Sequence, residues 1–247
     1  MNNKLAIIIL AAGKGTRMDS DLPKVLHKIN NKTMIEHVIE KTKKLNPEKL
    51  VIVVGYKYKE VKKCLSNYSL DYVLQKEQKG TGHAVIKCKQ TLKDFNGNTL
   101  ILSGDVPLIT QETLINLYEA HINNAAAATI LSAKSNEPFG YGRIIRNQNN
   151  FISIVEEKDS NKKEKNIDEI NAGIYIFKNN VLFENIKEIN NNNNQSEYYL
   201  PSIMPILIQK GHKVIVFKTN NQNEIKGANT VEQLLKLETY AEKKTKN

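Results

Sequence analysis

The chain has 247 residues, of which 40% are hydrophobic, 25% charged and 6% aromatic, with no Trp. This is enough apolar chain for one large core or two small ones, and it excludes a largely disordered protein and a small scaffold that depends on disulfide staples. Thirty-six Lys and Arg against 26 Asp and Glu leave a formal charge of +10, a balance also found in nucleic-acid binders. The positives, however, are scattered Lys among many Asn, including the run Asn190 to Asn194, and Arg stands only at 17, 143 and 146. Bidentate base and phosphate recognition calls for more, so no nucleic-acid partner is expected.

No run approaches the ~20 apolar residues of a membrane span. Met1 to Lys4 leads into a six-residue apolar run, too short for a secretion signal, which makes a cytoplasmic protein without a membrane partner the expectation. Cys64 and Cys88 fall in amphipathic helical segments and read as packed, reduced thiols rather than a disulfide or metal pair.

Leu5 to Leu10 is a continuous β-branched run entering Ala-Ala-Gly-Lys-Gly-Thr, the pattern of a buried parallel strand feeding a glycine loop. Helical periodicity then covers Met34 to Leu45, a second buried strand Leu50 to Val54, and a helix Lys57 to Leu65. Asp71 to Leu74 reads as a strand, Gly80 to Leu92 as a helix, and Thr99 to Leu102 as a strand ending in Ser-Gly-Asp. Beyond residue 110 a helix at Gln111 to His121 precedes a strand at Ala125 to Leu131. Arg143 to Ile145 and Phe151 to Val155 flank turn residues Asn147 to Asn150 as a hairpin. The charged stretch Glu156 to Glu169 reads as a surface loop before the strand Gly173 to Phe177. Helices near Val181 to Ile189 and Tyr198 to Gln209, a strand Lys213 to Phe217 and a helix Thr230 to Lys243 complete the chain. Strands alternating with helices predict an α/β fold, a Rossmann-like mixed and mostly parallel sheet with helices on both faces and right-handed crossovers. Ligands of such sheets bind outside the carboxyl ends of the strands, which places the loops after Leu10 and Leu102 on one rim.

Leu10-Ala-Ala-Gly-Lys-Gly-Thr-Arg-Met18 is the sharpest local signal. Small residues after a buried strand let backbone N–H groups approach a polyphosphate, with Lys14 and Arg17 as mobile charge. The segment lacks the Gly-Lys-Ser or Gly-Lys-Thr ending of Walker A and the third glycine of a dinucleotide fingerprint. Pro23-Lys24 brings another cation close, with a plain surface lysine as the alternative. In Ser103-Gly-Asp-Val-Pro-Leu108 a carboxylate beside a phosphate pocket needs a cation between them, so Asp105 reads as a Mg²⁺ ligand, an ordinary turn cap being the alternative. Gln75 and backbone groups from Gly80 are placed to read a base edge. His83 caps or packs, because no carboxylate partner is indicated for it. Asn229 reads as the N-cap or first turn of the last helix.

These segments occur in order with Asp21-Leu-Pro-Lys-Val-Leu-His27, Gly80-Thr-Gly-His83, Phe139-Gly-Tyr-Gly-Arg143, Ile154-Val-Glu-Glu-Lys-Asp159, Glu169-Ile-Asn-Ala-Gly-Ile174 and Glu197-Tyr-Tyr199. Together they resemble the N-terminal uridylyltransferase domain of the bacterial bifunctional N-acetylglucosamine-1-phosphate uridyltransferase and glucosamine-1-phosphate acetyltransferase family, over about Leu5 to Glu242. The glycine loop is common to sugar nucleotidyltransferases at large; Gly-Tyr-Gly-Arg, Glu-Glu-Lys-Asp and Gly-Thr-Gly-His narrow the resemblance. It implies the nucleotide-diphospho-sugar transferase fold, with a single nucleotidyltransferase domain over 1–229 (nucleotide-binding half 1–110, sugar-binding half 111–229) and a C-terminal helix and basic tail over 230–247.

The resemblance further implies a Mg²⁺-dependent transfer of uridylyl from UTP to N-acetyl-α-D-glucosamine 1-phosphate, serving cell-wall peptidoglycan and outer-layer lipopolysaccharide synthesis. Leu10, Ala11, Ala12, Gly13 and Gly104 would hold the nucleotide, with Gln75, Gly80 and Thr81 at the uracil. Arg17 and Lys24 would be the catalytic cations, Gly142, Glu156 and Asn171 the sugar contacts, and Asp105 and Asn229 the metal ligands. Ser103 stands where that family usually has Tyr, Leu-Pro-Ser202 follows Tyr199, and Val231 replaces a common Arg, which bears on sugar preference. The family's second domain, a left-handed β-helix that carries the acetyltransferase and the trimer, has no counterpart here. Acetyl transfer is therefore not expected, and a monomer or weak homodimer is, whether the chain stands alone or is a piece ending in the linker helix. Another sugar-1-phosphate nucleotidyltransferase, using glucose 1-phosphate, dTTP or CTP, is the near alternative, and a catalytically silent sugar-nucleotide-binding subunit the distant one.

Overall fold

The computed structural model describes residues 4–245; the first three residues of the leading segment and the last two of the basic tail lie outside them. Strand β1 (Leu5–Ala11) is followed by a 3₁₀ turn at Thr16–Met18, another at Lys24–Leu26, and the short ribbon β2 (Lys28–Ile29) and β3 (Lys32–Thr33). Helix α1 (Met34–Lys43) starts on a capping box: the Thr33 hydroxyl accepts from Glu36 N–H while the Glu36 carboxylate accepts from Thr33 N–H, satisfying two terminal donors. Next come β4 (Lys49–Val54), α2 (Tyr58–Cys64), β5 (Asp71–Leu74), α3 (Thr81–Lys87), β6 (Asn98–Ser103) and α4 (Gln111–Asn123). The second half holds β7 (Ala128–Lys134), β8 (Arg143–Asn147), β9 (Asn150–Val155), α5 (Lys162–Lys165), β10 (Glu169–Lys178), α6 (Asn179–Asn185), α7 (Ile203–Gln209), β11 (Val214–Thr219) and α8 (Val231–Thr245).

One nine-stranded sheet runs through both halves in the order β11-β7-β10-β6-β1-β4-β5, with the β8–β9 hairpin attached to β10. β1 pairs in parallel with β4 and β6, and β10 runs antiparallel to β6 and β7. The period-2 alternation of strand side chains divides the core. Ile7 and Ile9 of β1, Ile52 of β4 and Leu100 of β6 point to one face, under Val38 and Ile39 of α1 and Leu114 and Leu117 of α4. Ala6 and Ile8, Val51 and Val53, and Ile101 point to the other, under Val85 of α3, Leu182 of α6 and Ile203 and Leu207 of α7. α8 closes a small third cluster, with Leu237 against Ile29, Met34 and Ala228. Among the described residues no helix is long and apolar enough to cross a membrane. Cys64 and Cys88 are free thiols, and burial pushes Cys88 up to about 12.

Besides shifts such as the helix expected from Tyr198, which begins at Ile203 after a 3₁₀ turn, and the strand expected from Ala125, which begins at Ala128, the structure departs from the sequence reading in three further places. The helix expected over Gly80 to Leu92 regularises only to Lys87, after which the chain continues as turns. The stretch Glu156 to Glu169 contains α5, capped by the Asn161 and Glu164 side chains. The strand expected from Gly173 begins at Glu169 and carries an irregularity between Asn171 and Tyr175, where Gly173 adopts φ +68°. A bulge of this kind re-aims side chains beside a site.

Gly80 has φ +100°, and a Cβ there would lie 2.6 Å from the Tyr198 carbonyl oxygen. Gly80→Ala is therefore expected to cost at least about 2 kcal/mol in urea unfolding; a loss below about 0.5 kcal/mol would show that the 79–82 and 197–200 segments are not packed as described.

Candidate active site

The carboxyl ends of β1, β4, β5 and β6 open on one rim, where a cleft of about 450 Å³ lies between the two halves. Leu10, Ala12, Gly13, Gln75, Gly80 and Thr81 line it from the first half. Gly142, Glu156 and Asn171 line it from the second, together with Tyr141 and Tyr175. Nine of the sequence-predicted residues thus share one cavity; Ala11, Arg17, Lys24, Gly104, Asp105 and Asn229 do not line it. A larger hollow of about 670 Å³ opens at the other end of β1, between Leu5, Leu45 and Tyr118, and none of the predicted residues borders it.

At the first end of the cleft Gln75 is buried, and its amide nitrogen donates to the Gly80 carbonyl at 3.2 Å and to His83 Nδ1 at 3.0 Å. Both amide hydrogens are thereby committed, so Gln75 offers a ligand only its Oε1 acceptor. Burial, with Lys87 and Lys79 nearby, lowers the His83 pKa, which suits the neutral ring that this contact needs. His83 thus packs against Gln75 and accepts its hydrogen bond, a contact that the sequence reading, which has it cap or pack, does not name. The Thr81 hydroxyl accepts from Leu200 N–H at 3.0 Å, and Gly82 N–H donates to the Tyr198 carbonyl at 2.7 Å. Residues 198–200 therefore buttress the loop that the sequence places at the base.

A cation cluster adjoins the cleft. The Lys24 ammonium pairs with the Asp105 carboxylate and donates to Asn229 Oδ1 at 2.6 Å, and Arg17 donates to the same oxygen at 3.0 Å. Burial opposes ionisation of Asp105, but Lys24 and a hydrogen bond from the Ser103 hydroxyl outweigh it and hold the carboxyl below its usual range. Ser103, which lines the cleft, thereby joins the cluster to it; this donor role is absent from the sequence reading, which weighed Ser103 only as a lost aromatic wall. Lys14 is not drawn in: it is exposed, 5.9 Å from the centre of the Tyr56 ring.

Asn229 needs a correction. The last helix is capped by Thr230, whose hydroxyl accepts from Gln233 N–H at 3.2 Å while Gln233 accepts from Asn229 N–H at 2.7 Å. Thr230 is thus the cap, and Gln233 reaches back to the N–H of the residue before it, so the Asn229 side chain sits one residue outside the helix and reaches the cations instead.

At the second end, the Asn171 amide donates to the Tyr175 hydroxyl at 2.6 Å while its Oδ1 accepts from Gly173 N–H at 3.1 Å. Glu156 opens to the cleft but is otherwise enclosed. Burial and the Asp159 carboxylate, partly relieved by Arg143, push it up to about 7. Sequence reasoning reached Glu156 and Asn171 only through resemblance, and it singled out neither Tyr141, although that residue stands within Gly-Tyr-Gly-Arg143, nor Tyr175, which lies in an apolar strand between Ile174 and Ile176.

The nucleotidyl transferase family profile matches residues 6–223. The chain belongs to that family. It is 50% identical over 223 residues to the bifunctional protein GlmU of Streptococcus uberis, covering 90% of this chain and 48% of that protein. The GlmU of Streptococcus mutans serotype c is likewise 50% identical over 232 residues, covering 94% and 50%. The chain thus spans about half the length of the curated relatives it matches. A UDP-glucose pyrophosphorylase in complex with UDP-glucose superposes with TM-score 0.76 at 20% identity, covering 98% of this chain and 99% of that one. A Bacillus anthracis structure described as a glucose-1-phosphate thymidylyltransferase superposes with TM-score 0.75 at 21% identity, covering 96% and 95%. The fold is accordingly the Rossmann-like fold of nucleotide-diphospho-sugar transferases.

The raised Glu156 pKa has a signed consequence for stability. Between about 4.5 and 7 the folded state holds a proton that the unfolded chain gives up, so this group's contribution falls as pH rises through that window. Glu156→Gln removes the buried charge. It is expected to raise stability by roughly 1–3 kcal/mol at pH 8 and by almost nothing at pH 4, below both values, read by thermal unfolding at both pH values; an equal difference at the two would contradict the assignment.

Proposed function

We propose that the chain transfers a uridylyl group from UTP to N-acetyl-α-D-glucosamine 1-phosphate, giving UDP-N-acetylglucosamine and pyrophosphate. The observation that carries this reading is one cleft joining the Gln75–Thr81 loop to the wall of Gly142, Glu156 and Asn171, with the Lys24, Asp105 and Asn229 cluster beside it. The ordered motifs that resemble the uridyltransferase family and the 50% identity to streptococcal GlmU proteins support it. Gln75 adds a chemical reason for the base. Uracil presents an N3–H donor to the Oε1 acceptor, whereas cytosine presents an acceptor at N3 and leaves two acceptors facing each other. Thymine has the same edge as uracil, so dTTP is the second nucleotide this geometry admits.

The sugar 1-phosphate is ionised at neutral pH, and its oxygen can attack the α-phosphorus with no protein base. A P–O bond forms to the sugar phosphate as the α–β bridging bond breaks, and the electron pair leaves with pyrophosphate. In this reading Arg17 and Lys24 take up that charge, while the loop after β1 and the Gln75 region hold the nucleotide. Mg²⁺ fits the donor set: Asp105 and Asn229 offer hard oxygens that already converge on one cation, the Lys24 ammonium. Among the described residues no group of three or more His, Cys, Asp or Glu could hold a metal, as suits an ion bound through one or two protein oxygens and the substrate's phosphates. When bound, the ion neutralises phosphate charge during transfer.

Pyrophosphate release from UTP with N-acetylglucosamine 1-phosphate is expected to exceed that from CTP, and from glucose 1-phosphate as acceptor; a preference for CTP would overturn the Gln75 argument. Asp105→Asn is expected to lower turnover roughly 100-fold at saturating Mg²⁺, and unchanged turnover would remove Asp105 from the metal set. Lys24→Met, which takes the resident ammonium away from Asp105 and Asn229, is expected to bind Mn²⁺ more tightly without nucleotide, as read by electron paramagnetic resonance, even as turnover falls.

A further inference from the structure

Arg143 heads the fully buried side chains by volume among the described residues, with 1% exposure, and stands at the start of β8 next to cleft-lining Gly142. A buried guanidinium carries a large desolvation cost that only close pairing offsets. Its Nη1 donates to the Tyr141 carbonyl, and its Nη2 donates to Glu157 Oε2 at 2.7 Å and to the Lys165 carbonyl at 3.5 Å. The same Glu157 oxygen accepts from Gly140 N–H at 3.1 Å. Burial opposes ionisation of Glu157, but Arg143 and the Gly140 N–H outweigh it and hold the carboxyl below its usual range. One ion pair thus joins the 138–142 loop, the segment just after β9 and the end of α5.

Neither Arg143 nor Glu157 lines the cleft, yet each is the immediate chain neighbour of a residue that does: Gly142 on one arm, Glu156 on the other. These two arms are already in contact. A Cβ built on Gly142 would lie 3.2 Å from Glu156 Oε1 and 3.0 Å from Ile154 Cγ2. A small drift of the loop therefore changes the spacing of the two cleft-lining groups. These hydrogen bonds all lie between residues 140 and 165, away from the nucleotide-side loops.

We propose that the Arg143–Glu157 ion pair is a positioning clamp that sets the distance between Gly142 and Glu156, and with it acceptor affinity, independently of nucleotide affinity. This rests on the reading above that Gly142, Glu156 and Asn171 form the sugar side. The pair makes no contact with substrate; it acts through the two residues it holds.

The test compares Glu157→Ala, which removes the acceptor for Arg143 and Gly140, with Glu157→Gln, which keeps an acceptor oxygen for both. In Glu157→Ala the KM for N-acetylglucosamine 1-phosphate is expected to rise at least about tenfold, the scale of one lost positioning hydrogen bond, with the KM for UTP within about twofold. Glu157→Gln is expected to recover most of the loss, and it serves as the primary variant if the alanine form does not fold. Hydrogen exchange of the peptide spanning 138–142 supplies a readout free of turnover and is expected to quicken in Glu157→Ala while β1 and β6 stay protected. Equal increases in both KM values, or no change in either, would overturn the clamp. Should the wild-type protein accept no sugar 1-phosphate at all, the sugar-side reading fails first, and unchanged exchange at 138–142 would then overturn the clamp as well.

Discussion

The rim chemistry depends on β1 having no solvent face. Ile7 and Ile9 fill one core and Ala6 and Ile8 the other, so polar function can emerge only where the strand ends. Parallel register then decides what emerges beside it. Leu10 pairs with Ser103, which sets Ser103 and the following Gly104 and Asp105 next to the glycine loop. On the other side Ala11 pairs with Val54, and Val54 with Leu74, which delivers Gln75 to the same edge, its N–H on the Val54 carbonyl at 2.8 Å. Four segments distant in sequence are aligned by strand pairing alone, the physical content of the rule that such sheets bind ligands at their carboxyl ends.

This explains which parts were legible in the sequence. Runs such as Leu5 to Leu10 and Leu50 to Val54 are apolar on both faces, and a buried parallel strand is the structure that uses both. β10 escaped at its start because Glu169 and Asn171 look like loop residues. Glu169 is buried all the same, since Arg146 donates to its two oxygens at 2.8 and 2.9 Å and Ser132 donates at 2.8 Å. Polarity that is satisfied internally does not announce itself in a hydropathy pattern. The same holds at the site. Asp105 stands out in the sequence as a carboxylate at the end of a buried strand beside a glycine loop, whereas Asn229 joins its cluster only when the chain returns from 212 residues beyond Arg17; locally it reads as part of a helix start.

The two carboxylates of the site lie at opposite ends of an electrostatic gradient. Asp105 sits among Lys24 and the Ser103 hydroxyl and stays ionised, at the end where the proposed reaction puts the phosphates. Glu156, with Asp159 and Glu197 nearby, rises to about 7 at the end where the proposed reaction puts a neutral sugar. An anionic ligand entering with its phosphates toward Arg17 and Lys24 and its sugar toward Glu156 follows this gradient; the reverse orientation would set phosphates against carboxylates and hydroxyls against ammonium groups. Orientation in the cleft is thus written in charge before any individual contact is made.

The two walls of the cleft are also held by different means. The wall that carries Gln75 is an edge of the main sheet, fixed by continuous ladders through β1, β4, β5 and β6. The wall that carries Gly142 and Glu156 hangs on the β8–β9 hairpin, whose pairing with β10 is the single register position Ile170 to Arg143. One backbone position does not fix a hairpin's tilt, and the residue at that position is the arginine whose guanidinium gathers Tyr141, Glu157 and Lys165. Where backbone pairing runs out, buried charge takes over the positioning. An ion pair suits that task better than an apolar contact, because its directional hydrogen bonds specify a spacing where apolar packing specifies only proximity.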